Sequence, residues 1–349
     1  MKNIALIGAG LIGREHASLI VAHRELNLVG ICDPSPAAGM LARQLSVGHW
    51  SDYEAMFKEV VPDGAIIALP NHLHAAAALA CIDRGVACLV EKPVAETIAA
   101  GLRVAEASER ADVPVLVGHH RRHSPDIREA KRVINAGELG PLVAVNGMTL
   151  FDKPDAYFDA AWRREPGGGP LLINLVHDLD ALRYLVGEIE SVHAFTSSAV
   201  RGFEVEDTAS VAIRFVSGVL GSFVISDATV SPWAWEYTSG QALLHPTQPG
   251  PCLFISGRKA ALSVSDMYLW RHATEGEHWQ HPLVREHRPG DGSRTYGNQR
   301  DHLAAVIRRE VEPLISARDG VATLAAALAV EKAARENRAV SLSELLTAA

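Results

Sequence analysis

The strongest base in a chemically suggestive setting is His177, within "GGGPLLINLVHDLD" at residues 167–180. Three glycines and a proline lead into a helical pattern. Leu172, Leu175, Val176, Leu179 and Leu182 form one apolar stripe, and Asn174, His177, Asp178 and Ala181 fall opposite at three- and four-residue spacings. An imidazole titrates near neutrality and can take a proton from a hydroxyl. The same spacing also describes a solvated helix face, so the stretch alone leaves both readings open. Lys92 stands between Glu91 and Pro93 at the end of an apolar run. An ammonium there can stabilise a developing oxyanion, although a Glu-Lys neighbour pair is by default an exposed one. His72 and His74 form an H-x-H, but no third ligand is spaced to complete a site, so no metal is expected.

Elements that could position such groups begin at the first residues. "NIALIG" is a near-continuous apolar run, as a buried parallel strand requires, and "REHASLIVAHR" has helical periodicity. Between them lie Gly8, Gly10, Leu11, Ile12 and Gly13 in a G-x-G-x-x-G fingerprint. Gly8 permits the tight turn, Gly10 the approach of a pyrophosphate, and Gly13 close helix–strand packing, with the helix N-terminus facing the phosphates. Twenty residues on, "LNLVGICD" ends at Asp33, placed to accept from ribose hydroxyls; Asp33-Pro34 could otherwise simply initiate a turn. "DGAIIALP", "VACLVEKP" and "VPVLVGHH" read as further strands separated by helical stretches, which implies a doubly wound parallel sheet. Ligands on such sheets bind at the carboxyl ends of the strands. Asp33, Pro70, Asn71, Glu91, Lys92, His119 and His120 all fall at those ends.

At 349 residues the chain exceeds what one hydrophobic core usually serves, so two domains are expected. Their spans are 1–120 for the dinucleotide-binding domain and 121–349 for an α+β domain, with a C-terminal helix near 317–337 packing back on the first. A formal net charge of −8 argues against nucleic acid or an anionic membrane as partner. No stretch reaches 18 uninterrupted apolar residues, and the glycine-punctuated N-terminus lacks the features of a signal peptide. Four scattered cysteines read as reduced thiols of a cytoplasmic protein. In the second half, "LVAVNGMTLF", "SVHAFTSSAV", "DTASVAIRFVSGVLGSFVISDATV", "CLFISGRKAALSVS" and "MYLWRH" are strand-like. Several alternate as in a sheet with one face on helices; the other face can pair with a second subunit.

With "GAGLIG", "LPNHLHAAAALACIDRGVACLVEKP", "VGHHRRHSP", "AWRREP", "GGGPLLINLVHDLDALRYLVG" and the closing "SARDGVATLAAALAVEKAARENRAVSL", the chain resembles the glucose–fructose oxidoreductase/inositol dehydrogenase (Gfo/Idh/MocA) family over nearly its whole length. That resemblance implies a Rossmann domain followed by a domain on an open, mostly antiparallel sheet. It also implies a nicotinamide cofactor and a sugar or cyclitol substrate. His177 aligns with the family's catalytic histidine and Lys92 with the lysine of its Glu-Lys-Pro. His74 matches a histidine near the cofactor. Arg121, Arg122, Trp162 and Arg163 match positions bordering the substrate, beside His120. Many relatives carry an aspartate four residues before the histidine; here that position is Ile173, and Asn174 follows it.

The resulting expectation is an NAD-dependent dehydrogenase acting on a secondary alcohol of a sugar, cyclitol or related polyol. Asp33 favours NAD over NADP. His177 takes the hydroxyl proton, Lys92 stabilises the oxyanion and Asn174 orients the substrate. The small-molecule substrate is selected by residues 151–166 and 231–246, and the protein assembles as a homodimer or homotetramer. Rival readings are a dihydrodiol dehydrogenase, an NAD-dependent glycoside-cleaving enzyme, and a non-catalytic dinucleotide-binding regulator.

Overall fold

The computed structural model describes residues 1–242 and 245–347, so Leu243 and Leu244 of the 231–246 stretch, and residues 348–349, lie outside the described residues. The chain divides into two compact units. The first comprises Met1–His120 and Tyr296–Leu324, the second Arg121–Thr295 and residues 325–347. A cut at residue 120 with only the helix near 317–337 packing back would leave 296–316 in the second unit and take 325–337 into the first, whereas residues 296–324 belong to the first. The structure returns them to the first because Ile307, Gly320 and Val321 pack on Gly64, Val117 and Gly101, and Ser316 bridges Leu116.

In the first unit, β1 (Lys2–Ile7), β2 (Leu26–Cys32), β3 (Gly48–Trp50), β4 (Gly64–Ile67), β5 (Ala87–Val90) and β6 (Val115–Val117) form one parallel sheet. The order is β3-β2-β1-β4-β5-β6. Chain direction across the sheet reverses between β1 and β4, which is where a doubly wound sheet opens a ligand crevice at its strand ends. β1, β4, β5 and β6 are almost wholly buried, matching their unbroken apolar runs. The helix Asn71–Ile82 covers the sheet with alanines 75, 77, 78 and 80, small enough for a tight helix–sheet fit. The helix Pro36–Leu45, capped by Ser35, and the three-residue β3 were not expected from periodicity.

The second unit is built on nine strands: β7 (Leu142–Leu150), β8 (Ile189–Ser197), β9 (Thr208–Phe215), β10 (Leu220–Ser226), β11 (Leu253–Gly257), β12 (Ala260–Val264), β13 (Tyr268–His272), β14 (Leu283–His287) and β15 (Val340–Ser341). They run in the order β14-β13-β12-β11-β7-β10-β9-β8-β15. Only β7 and β10 pair in parallel; the other pairs are antiparallel. Alternation is clean on β9, where Ala209, Val211, Ile213 and Phe215 are buried while Ser210, Ala212 and Arg214 are exposed. The inward residues share a core with Leu175, Leu179 and Leu182 of the His177 helix and with Ala326 and Val330.

Candidate active site

In the first unit the glycine fingerprint has the geometry its sequence implies. Gly8 has φ of +96°, and a Cβ on it would stand 2.3 Å from the Ala68 carbonyl oxygen; one on Gly13 would stand 2.1 Å from that of Gly8. Any side chain at either position would push strand and helix apart. Around Gly10 the space is open. The helix Leu11–Val21 starts there with no side-chain cap and no acid in its first turn, leaving its first N–H groups directed outward. Asp33, at the end of β2, accepts from Ala9 N–H through Oδ2 (2.9 Å) and from Ser35 N–H through Oδ1 (2.8 Å). Partial burial disfavours its charge, but the bonds from Ser35 and Ala9 outweigh this and hold the carboxyl below its usual range. An uncapped helix start, an open glycine and a pinned, ionised carboxylate fit a dinucleotide.

Lys92 follows β5 directly. Glu91 beside it is buried, where His16 Nε2 of the Leu11–Val21 helix meets its Oε1 at 2.8 Å and Lys92 N–H donates to its Oε2 at 3.3 Å. Burial works against ionisation of Glu91, yet its partnership with His16 holds the carboxyl below its ordinary value. Glu91, expected as a cofactor contact, is thus engaged by His16 beside Lys92. It anchors the Lys92 turn to the helix that follows the fingerprint. His16 escaped sequence reasoning; its only signal was a place on that helix's inward face, three residues after Gly13. His74, also expected near the cofactor, is held in the same region. It is buried, with Nδ1 2.7 Å from the Pro93 carbonyl oxygen and Nε2 2.8 Å from that of Leu69, so it ties the start of its helix to the Lys92-Pro93 turn. Pro70 and Asn71 open that helix, again with no side-chain cap. His120 stacks on Tyr296 at a centroid distance of 4.9 Å.

In the second unit, residues Leu171–Leu175 form a turn of π-helix that continues into the α-helix Val176–Val186. The preceding glycines exist for close approach: a Cβ on Gly168 would stand 2.2 Å from the Trp162 carbonyl oxygen, and one on Gly169 2.2 Å from Glu206 Oε1. π-turns inside helices recur at functional sites because the extra residue redirects the side chains around it. His177 is only 8% exposed, and Asp178 and Ala181 are buried too. The face opposite the leucine stripe is therefore not a solvated one.

Two of the expected substrate residues have other employment. Arg121 is buried, its guanidinium bonded to Asp178 and, at 2.8 Å, to Glu236, with Trp235 under it at 5.0 Å. Arg122 forms a two-point bond with buried Asp180, both contacts 2.8 Å. Both arginines, expected at the substrate, brace the His177 helix. Thr149 Oγ1 donates to the second oxygen of Asp178 at 3.1 Å. Burial, with Glu236 adding to it, raises the Asp178 carboxyl to about 6 against the pull of Arg121 and Thr149.

Asn174 is half-buried, one turn before His177, and its Oδ1 accepts from Lys153 Nζ at 2.9 Å. Lys153 also pairs with buried Asp227 at 3.1 Å and lies over the Tyr157 ring at 4.7 Å. Arg163 covers the same ring at 3.9 Å and lies 5.2 Å from the ring of Trp162, which is 54% exposed. Asn174, Trp162 and Arg163 thus gather with Lys153 and Tyr157 into one partly open surface. Lys153 lies within the stretch named for specificity, but nothing in its spacing marked it.

Residues 2–119 match the model described as oxidoreductase family, NAD-binding Rossmann fold, and residues 127–262 match the GFO/IDH/MocA C-terminal domain. Inositol 2-dehydrogenase 2 of Saccharopolyspora erythraea is 30% identical over 226 residues, which are 62% of this chain and 64% of that relative. A 1,5-anhydro-D-fructose reductase of Ensifer adhaerens is 28% identical over 348 residues, covering 98% of this chain and 99% of its own. Among solved structures, scyllo-inositol dehydrogenase from Lactobacillus casei, with NAD(H) and scyllo-inositol, shares the fold at a TM-score of 0.77 and 19% identity, over 98% of this chain and 99% of that one.

Proposed function

Because the chain belongs to the GFO/IDH/MocA oxidoreductase family, we propose that it oxidises a secondary alcohol of a sugar, cyclitol or related polyol with NAD. The observation that carries this reading is the combination of an NAD-type cradle, with Asp33 pinned at its ribose end, and a histidine held on a braced π-to-α helix start. The relatives named for inositol and anhydrofructose chemistry support the substrate class.

In this reading the bound nicotinamide supplies the hydride acceptor. The cradle residues Gly8, Gly10, Leu11, Ile12 and Gly13 would hold the diphosphate, and Asp33 would accept from the ribose hydroxyls. Asn71 and Pro70 would border the nicotinamide end. His177 accepts the proton of the reacting hydroxyl, and Lys92 donates to the oxygen as negative charge grows on it. Asn174, Trp162 and Arg163 orient the remaining oxygens of the substrate, and His120 is a further substrate-binding residue in this reading. Braced by Arg121 and Arg122, the His177 helix keeps its imidazole in place without solvent relaxation, which is what preorganised proton transfer needs.

The exposed face of the nine-stranded sheet carries Phe195, Leu220, Val224 and Phe254 among polar neighbours. This supports assembly as a homodimer or homotetramer through that face, which light scattering of the purified protein measures directly. All four cysteines are buried, free thiols, which supports a reducing, cytoplasmic setting. No helix among the described residues is long and apolar enough to cross a membrane.

The test of the activity is a panel of inositols, aldoses, anhydrosugars and glycosides, followed at the absorbance of NADH. Sustained NADH production with a polyol is the expected result. Glycoside cleavage without net NADH would favour transient oxidation, and NAD binding with no turnover of any kind would leave a regulator.

A further inference from the structure

An ammonium has three N–H donors and no acceptor, so whichever atom of the Asn174 amide faces Lys153 must be its oxygen. That contact, Lys153 Nζ to Asn174 Oδ1 at 2.9 Å, fixes which way round the amide sits. Its NH2 then points away from Lys153, and among the described residues nothing accepts from it. Lys153 is itself held in place. Its side chain is nine-tenths buried, with Asp227 at 3.1 Å, the Tyr157 ring at 4.7 Å and the Phe151 ring at 5.6 Å around it. Asp227 is shared with Arg201, whose Nε lies 3.3 Å from its other oxygen. Asp227 therefore keeps a partner whether or not Lys153 is present.

We propose that Lys153 is a positioning residue that makes Asn174 a hydrogen-bond donor toward the substrate, so that the site takes polyols presenting an acceptor oxygen there and rejects their amino counterparts. This rests on the reading of Asn174 and His177 as substrate-facing. An aspartate in the same helix turn would accept from a substrate hydroxyl or attract an ammonium. Asn174 as held by Lys153 does neither. It offers N–H groups to a hydroxyl lone pair, a ring ether, a keto oxygen or a carboxylate. A substrate ammonium has no lone pair for Nδ2 to meet and would face a surface whose other cations are Lys153, Arg163 and Arg201. Burial depresses the Lys153 amine, with Arg201 and Arg163 adding to that and Asp227 opposing it.

The experiment compares wild type, Lys153→Met and Lys153→Arg by two readouts, after thermal melts confirm that each is folded. The first needs no substrate. In ¹⁵N-asparagine-labelled protein, the Asn174 side-chain NH2 signals, identified by their loss in Asn174→Ala, should shift in Lys153→Met and return in Lys153→Arg. The second is calorimetric binding of D-glucose and its 2-amino, 3-amino and 6-amino deoxy forms to the NADH-loaded protein. At least one amino form should bind about ten-fold more weakly than glucose, the scale of one hydrogen bond lost. That ratio should shrink in Lys153→Met, where the amide is free to turn its oxygen outward, and reappear in Lys153→Arg. Unmoved Asn174 signals, or a ratio that Lys153→Met leaves intact, would overturn the proposal. If no sugar binds wild type, the sugar branch of the reading fails, while the asparagine signals still decide whether Lys153 sets the amide.

Discussion

Replacing Asp33 by serine is the perturbation whose size the structure best defines. A carboxylate offers about four lone-pair positions. In the free protein one is taken by Ala9 N–H and one by Ser35 N–H, both from the backbone and both short. The Ser35 hydroxyl also supports the carboxylate, and the two ribose hydroxyls of NAD would donate to it at the end of β2. Hydrogen bonds to a charged group contribute about 1.5–3 kcal/mol each when buried. Asp33 is only half-buried, so the lower end applies, and two such bonds come to about 3 kcal/mol, or roughly a hundred-fold in affinity. Against NADP the same carboxylate meets a phosphate. Two unit charges 4 Å apart repel by about 1 kcal/mol in water and about 4 kcal/mol in a half-buried setting.

Wild type should therefore use NAD at least a hundred-fold better than NADP in kcat/KM. Asp33→Ser should lower kcat/KM for NAD by ten- to a hundred-fold while raising that for NADP, because the repulsion goes and a hydroxyl can donate to phosphate. The assay is initial-rate reduction of each cofactor with the polyol identified by the panel, alongside fluorescence titration of NADH and NADPH. If wild type uses both cofactors equally, or if Asp33→Ser leaves their ratio unchanged, the ribose role of Asp33 is refuted.

Lys92→Ala and His177→Ala should each lower kcat by roughly 10²–10⁴ with NADH binding nearly unchanged, and the double variant should lose much less than the product of the two losses. Near-normal turnover in His177→Ala would return that residue to a packing role. Asp178 has its carboxyl raised from 3.8 to about 6, so the folded protein holds the proton more tightly than the unfolded chain between those values. Wild-type stability should accordingly fall as pH rises from 4 to 6, and this slope should be absent from Asp178→Asn in thermal melts. Gly168→Ala should destabilise the second unit by about 2 kcal/mol, the usual cost of forcing an atom into filled space, since its Cβ would strike the Trp162 carbonyl; a neutral result in denaturant melts would mean the 162–168 turn relaxes freely.

Legibility followed the range of the physical signal. The parallel sheet was readable because buried strands are continuous apolar runs, and the cradle because a tight turn, a close approach and a strand-end acid recur at fixed spacing. The return of 296–316, the helix Pro36–Leu45 and the short β3 carried no such local pattern. His177 could be singled out by type and by the glycines ahead of it, but its surroundings could not. Arg121 and Asp178 stand 57 residues apart in sequence, His16 and Glu91 75 apart. Nothing within a helical turn announces such pairs. The same limit governs Asn174. Its place on the helix was visible and its amide could donate or accept; which of the two it does is decided by Lys153, 21 residues earlier. A missing carboxylate at Ile173 therefore need not weaken the site. With a lysine fixed behind the amide, the helix turn presents a donor where many relatives would present an acceptor, and the difference falls on which substrate oxygen is recognised rather than on the proton that His177 removes.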